Sequence, residues 1–355
     1  MYAGNANDFS ENQQKGVIAM KNSSLVRDNY EENITDWKIE FLDLYMSDDV
    51  KKFGQALDLK RLHIPKRLYR YRALSDDSII KYRFGEIVRG ELYMSHPSEL
   101  NDPFEASSNL ASSKPSAYMR DKEDSTKLFK GKMNDEDYES VFGNDSWYEN
   151  LLTYVAEKSV PQYKVELTKV ALSRVIMGEF EKINSYVSDM TRKMVRLACF
   201  TTSPDNLPMW HHYTNGHTGI CLEYNTEDIT NIYQLNKLFP VYYVDKMPDM
   251  TNRLLQKRRS EFGFMEYLAI HKLEDWRYEN EWRLIYDAGS WYFGPEDVPE
   301  DFWTHGKSVP FIRPTRIIMG MKISEEHEKK IREYAGLAGI SVIKATQTEY
   351  GLKID

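Results

Sequence analysis

The chain has 355 residues, 41% of them hydrophobic, and a formal net charge of −8. That length and apolar content suffice to bury a core, whereas the acidic balance argues against a general nucleic-acid coat, which needs a basic face. No apolar run approaches the roughly 20 residues of a membrane span, and the N-terminus lacks the basic-then-apolar pattern of a signal peptide, so the expected location is the cytoplasm. Two cysteines, Cys199 and Cys221, are too few for a disulfide scaffold and fit a reducing compartment.

Residues 1–33 are rich in Asn, Ser, Gln and Glu, the composition of a disordered or loosely attached tail. Trp37, Phe41, Leu44 and Tyr45 share one helical face and open the folded part, and Pro65 ends the helical pattern. Residues 68–72 alternate as a strand does, with Leu68, Arg70 and Arg72 on one face and Tyr69 and Tyr71 on the other. Ser75-Asp76-Asp77 starts a helix with Ile80, Phe84, Ile87 and Val88 as its apolar stripe and Gly90 as its end, and 92–95 follows as a strand. The stretch from about 106 to 196 is polar and then helical, with Leu167, Val170, Ile176, Phe180, Ile183, Val187, Met190 and Met194 at three- and four-residue spacing, and is expected to be a helical insertion. Strand patterns return at 197–202, 219–224, 239–244, 281–286, 315–319 and 340–344, with helices over 253–271 and 325–334. This order predicts an α+β fold, a mixed, mainly antiparallel sheet in one domain over 34–345, with a tail at 346–355. There is no internal repeat and no glycine-rich phosphate loop.

Glu279 and Glu281 lie two residues apart, so on an extended segment both side chains project to one side. Such closeness raises one carboxyl, which suits general-base work or the stabilisation of a cationic transition state, while Arg277 and Arg283 could neutralise both. The alternative is a surface ladder of Glu and Arg. Residues 95–105 are dense in turn formers, so Asn101 and Asp102 either bond to backbone or line a pocket and orient a ligand. Trp210 and Tyr213 share a helix face, where they serve as core anchors or as ring-stacking residues. His211, His212 and His217, with the two cysteines, match no zinc spacing, and no metal site is expected. No Gly-x-Ser-x-Gly elbow occurs.

The blocks at 68–72, 92–105, 199–202, 209–213 and 276–285 together resemble a widespread bacterial family of uncharacterised proteins. A second set of residues resembles mono-ADP-ribosyltransferases of the arginine-serine-glutamate type: Arg70 on an early strand, Thr201-Thr202-Ser203 on a middle strand, and Trp276-x-x-Glu279-x-Glu281 late in the chain, in that order. The resemblance implies an ADP-ribosyltransferase-like core with NAD as substrate. It implies that Arg70 holds the NAD phosphates, that Thr202 or Ser203 braces the nicotinamide ribose, and that Glu281 binds its 2′-hydroxyl while Glu279 activates the acceptor. Ser95 is the alternative for the hydroxyl role, and Tyr93, Trp210 or Tyr213 would stack on a ring of the cofactor. The acceptor would be a protein or nucleic acid, the setting that of a bacterial toxin or antiviral effector with a neutralising partner. Two other classes stand beside this one. A metal-dependent nuclease would use converging carboxylates among Asp102, Glu105, Glu279 and Glu281. A noncatalytic binding module would pair Arg70 with Glu281 in a closed, buried contact.

Overall fold

A computed structural model describes residues 36–47, 49–76, 82–107, 115–248, 263–287, 305–349 and 351–354. The expected tail at 1–33 and most of the helix expected over 253–271 lie outside them.

Two helices, α1 (Asp36–Tyr45) and α2 (Val50–Leu62), come first, the second capped by the Asp49 carboxylate on the Lys51 amide. Strand β1 (Arg67–Arg72) follows, then a π-helical turn, Gly85–Arg89, that ends at left-handed Gly90 (φ 68°), and β2 (Glu91–Met94). The helical segment before the next strand holds α3 (Pro115–Thr126), α4 (Asp135–Phe142), α5 (Trp147–Ser159) and the thirty-residue α6 (Val165–Met194). Next come β3 (Val195–Thr201), α7 (Leu207–Tyr213), β4 (Ile220–Asn225) and α8 (Ile232–Asn236). The pattern at 239–244 is broken at Val241 into β5 (Leu238–Pro240) and β6 (Tyr242–Val244). After α9 (Phe264–Ala269), His271 is not helical as expected but begins β7 (His271–Leu273). The chain continues through β8 (Glu281–Asp287), β9 (Lys307–Pro310), β10 (Arg316–Met319), α10 (Glu325–Ala338) and β11 (Ser341–Lys344). The expected C-terminal tail instead folds into a hairpin of β12 (Thr346–Thr348) and β13 (Gly351–Lys353), from which Leu352 packs beside Tyr71 and Trp210.

The fold is α+β. Seven strands form an open sheet in the order β11-β10-β4-β1-β3-β8-β5, antiparallel except for β10 beside β11. Alternation sorts its residues onto two faces. Leu68, Ala198, Phe200, Leu222, Leu284 and Ile317 belong to one core, closed by Ile87, Ile331 and Tyr334. The opposite face carries two cores, one around Phe41, Leu197, Phe239 and Ile285, the other around Tyr69, Tyr71, Trp210 and Ile318. The apolar stripe of α6 is only partly used: Phe180 is buried, but Leu167 is 74% exposed and Val170 and Ile183 also face outward. Spacing says which residues share a face, not whether another element covers it.

The sheet is weakest at its middle. β1 runs beside β4 over six residue pairs and β3 beside β8 over seven, whereas β1 meets β3 through the single pair Tyr69–Thr201. Beyond that pair the two strands part, and Leu197 exchanges both backbone hydrogen bonds with Ser95 (2.7 and 2.9 Å) instead. The turn after β2 fills part of the gap.

Candidate active site in the split of the sheet

A cavity of about 240 Å³ opens where β1 and β3 separate. Because it lies in the split, side chains from both sheet faces reach it: Arg70, Arg72 and Phe200 from one, Cys199, Thr201 and Glu281 from the other. Ser95, Asn101, Asp102 and Glu105 enter from the turn after β2, Tyr213 from α7 and Lys272 from β7. Arg70 and Glu281 therefore share one cavity without pairing, contrary to the closed contact expected of a binding module.

At one end Arg70, only 4% exposed, sits 5.6 Å over the Phe200 ring and donates from Nη2 to the Tyr93 carbonyl (2.8 Å). Its contact with Glu86 is long (3.4 Å), and its Nε has no partner among the described residues. Glu86 is also met by Arg72 (3.3 Å) and Arg83, and it accepts from the Tyr224 hydroxyl (3.1 Å). Burial lowers Arg83 against the pull of Glu86, and its Nε is likewise unpartnered. Three guanidiniums thus surround one carboxylate, and a buried N–H without an acceptor is costly. That arrangement suits an anionic ligand group.

At the other end buried charges alternate. Arg283 forms a two-bond pair with Glu105 (Nη2–Oε2 3.0 Å) and another with Glu281 (2.8 and 3.0 Å). The Lys272 ammonium then joins Glu281 (3.2 Å) to Glu279 (2.5 Å), whose second oxygen accepts from the Tyr213 hydroxyl (2.5 Å). Glu281 is anchored further by its own amide, which donates to the Tyr243 hydroxyl (2.8 Å). Burial would raise Glu281, but Arg283 and Lys272 outweigh it and hold the carboxyl down at about 2. Glu279 moves the other way: burial and the adjacent Glu281 raise it more than Lys272 lowers it. Glu105 is raised by burial against the opposing pull of Arg283, and burial pushes the Cys199 thiol far up, which leaves it an unactivated nucleophile. Two neighbouring carboxyls driven in opposite directions are a physical basis for separate acid–base roles.

The two glutamates meet for a reason other than the expected extended geometry. Glu279 closes the 3-10 turn Glu274–Glu279, Asn280 is left-handed (φ 45°, ψ 53°), and Glu281 starts β8. Asparagine tolerates that conformation. Both carboxylates are buried, so the surface-ladder alternative fails, and Arg277 pairs with Glu274 over the Tyr243 ring instead of neutralising them.

Other expected site residues divide. Ser95, Asn101 and Tyr213 line the cavity, and Asp102 does so while its Oδ1 accepts from the Phe104 amide (2.9 Å), so turn and lining roles coincide. Thr202 and Ser203 do not reach it; Thr201 does, donating to the Glu279 carbonyl (2.5 Å). Thr202 is exposed, and the Ser203 hydroxyl accepts from Asn280 (3.2 Å) outside the cavity. Trp210 is a core anchor, fully buried, with its indole N–H on the Pro204 carbonyl (2.8 Å) and its ring edge-on to Tyr71. Tyr93 contributes its backbone carbonyl to Arg70, while its hydroxyl donates to Glu99. No pattern in the sequence singles out Lys272, Glu86 or Arg83. The carboxylates are separated by cationic side chains, and among the described residues no group of three or more His, Cys, Asp or Glu is arranged to hold a metal ion, which does not favour the nuclease reading. Nor is any helix among them long and apolar enough to cross a membrane.

No curated protein and no solved structure matches the chain. Residues 209–284, which carry Tyr213, Lys272, Glu279 and Glu281, match the family described as "Protein of unknown function (DUF2971)", so over this segment the chain resembles an uncharacterised family.

Proposed function

We propose that the cavity is the site of NAD-consuming ADP-ribosyl transfer to a macromolecular acceptor, with NAD hydrolysis when water replaces the acceptor. The observation that carries this reading is the split between β1 and β3, where Arg70, Thr201, Glu279 and Glu281, far apart in sequence, line one cavity. The guanidinium of Arg70, which lines the cavity, would take a phosphate oxygen of the dinucleotide. Glu281, kept ionised by Arg283 and Lys272, would stabilise the positive charge that develops on the ribose as its C1′–N bond breaks and nicotinamide leaves with the electron pair. The ribose hydroxyl would reach the Glu281 carboxylate by replacing the Cys199 thiol, a weak donor to it. Glu279, the raised carboxyl, would take the proton released as the acceptor oxygen or nitrogen bonds to C1′.

A cavity of about 240 Å³ is smaller than the roughly 300–1,000 Å³ usual for drug-sized ligands. It would take the nicotinamide ribose phosphate end and leave the remainder of the dinucleotide over the rim. Free Cys199 and Cys221 suit the cytoplasm, where NAD is present, and a toxin or antiviral effector of this kind would need a neutralising partner.

The test is nicotinamide release from NAD by the purified protein and by Glu281→Gln, which keeps shape and removes charge. The expected result is release that falls about 100-fold or more in the variant. Absence of both release and calorimetric NAD binding overturns the proposal and leaves a binding module, a reading favoured by the full pairing of the Glu281 carboxylate.

A further inference from the structure

We propose that Lys272 is a positioning residue that tunes Glu279 as the proton-exchanging group of the cavity, its ammonium being the cation that Glu279 faces while Arg283 holds Glu281 as a fixed anion. The inference rests on the two glutamates being the working carboxylates of the cavity.

The geometry is asymmetric. Glu281 receives two hydrogen bonds from Arg283 before Lys272 adds a third at 3.2 Å, whereas for Glu279 the Lys272 ammonium at 2.5 Å is the only cation in contact among the described residues. The ammonium is almost fully buried and lies 4.7 Å from the Trp276 ring, which confines it between the two carboxylates. Around Glu279, Tyr213 of α7 donates to its other oxygen, Tyr278 adjoins it on the same turn, and Glu281 of β8 faces it across Lys272. Tyr243 of β6, Cys199 of β3 and Glu105 beyond Arg283 all face Glu281 instead. Removing the ammonium therefore takes away the one adjacent cation from Glu279 and leaves Glu281 with Arg283. Lys272 itself stays protonated, because the charges of Glu281 and Glu279 outweigh the effect of burial.

The experiment follows the carboxyl ¹³C resonance of Glu279, assigned by its loss in Glu279→Gln, through a pH titration of wild type, Lys272→Met and Lys272→Arg. The expected midpoint moves up by at least one pH unit in Lys272→Met and returns toward the wild-type value in Lys272→Arg, a response that a lysine acting through packing alone would not give. A folded Lys272→Met protein with an unmoved or lowered midpoint overturns the inference. Should Lys272→Met fail to fold, the double variant Lys272→Met/Glu279→Gln is expected to regain a cooperative unfolding transition, because the uncompensated carboxylate is gone; no recovery overturns it. The titration uses no NAD, so a shifted midpoint without nicotinamide release supports the role of Lys272 while sinking the transfer chemistry.

Discussion

The two ends of the cavity are both buried and both ionic, yet they are balanced differently. Around Glu86 three guanidiniums meet one carboxylate, and two of their Nε atoms lack partners. Around Arg283 and Lys272 three carboxylates meet two cations, with nearly every hydrogen-bonding atom engaged. The first end is left with an excess of positive charge. The second is satisfied internally and differs from neutrality by one charge, which a proton can remove.

Substitutions at three positions sharpen that contrast. Arg283→Met should have the largest effect, destabilising by about 3–5 kcal/mol in urea denaturation, because Glu105 and Glu281 would both lose a buried partner; a loss under about 1 kcal/mol would show that the second end is not a closed network. Glu86→Gln should cost less, about 1–3 kcal/mol, since Arg72 reaches solvent and can relax. Added inorganic phosphate should restore part of that loss if the first end is an anion site, and a variant whose stability ignores phosphate would argue against it. Smallest is Asn280→Ala, about 1–2 kcal/mol from the left-handed backbone, read as a lowered thermal midpoint. Asn280→Gly should lose less, and equal losses would mean that the contact with Ser203, not the backbone, is what matters.

Much of the sheet could be read from the sequence because its strands alternate cleanly. Leu68 and Arg70 do face away from Tyr69 and Tyr71, and the strands expected near 197–202, 219–224, 281–286, 315–319 and 340–344 are present. The site was less legible. Lys272 sits on a three-residue strand too short to show a period, directly after a helix, so the helical pattern was extended over it. Glu86 falls inside a helical turn whose apolar stripe draws attention, while its carboxylate acts across the sheet on strands that sequence alone does not bring near. The two-residue spacing of Glu279 and Glu281 suggests an extended segment, but a left-handed asparagine brings them together. Trp210 shows the converse: an aromatic in a promising block whose work is packing.

The strand that carries Arg70 stands near the centre of the sheet, yet both of its neighbours come from beyond the long helical segment. On the ribosome β1 therefore emerges with two bare edges and waits until the chain has been made through Asn225, at roughly 5–20 residues per second. Closing so long a loop slows the pairing. During that wait the like charges of Arg67, Arg70 and Arg72 discourage two nascent chains from joining through β1. The arginines that face Glu223 and Glu86 in the finished protein thus guard the unfinished one against its own copies.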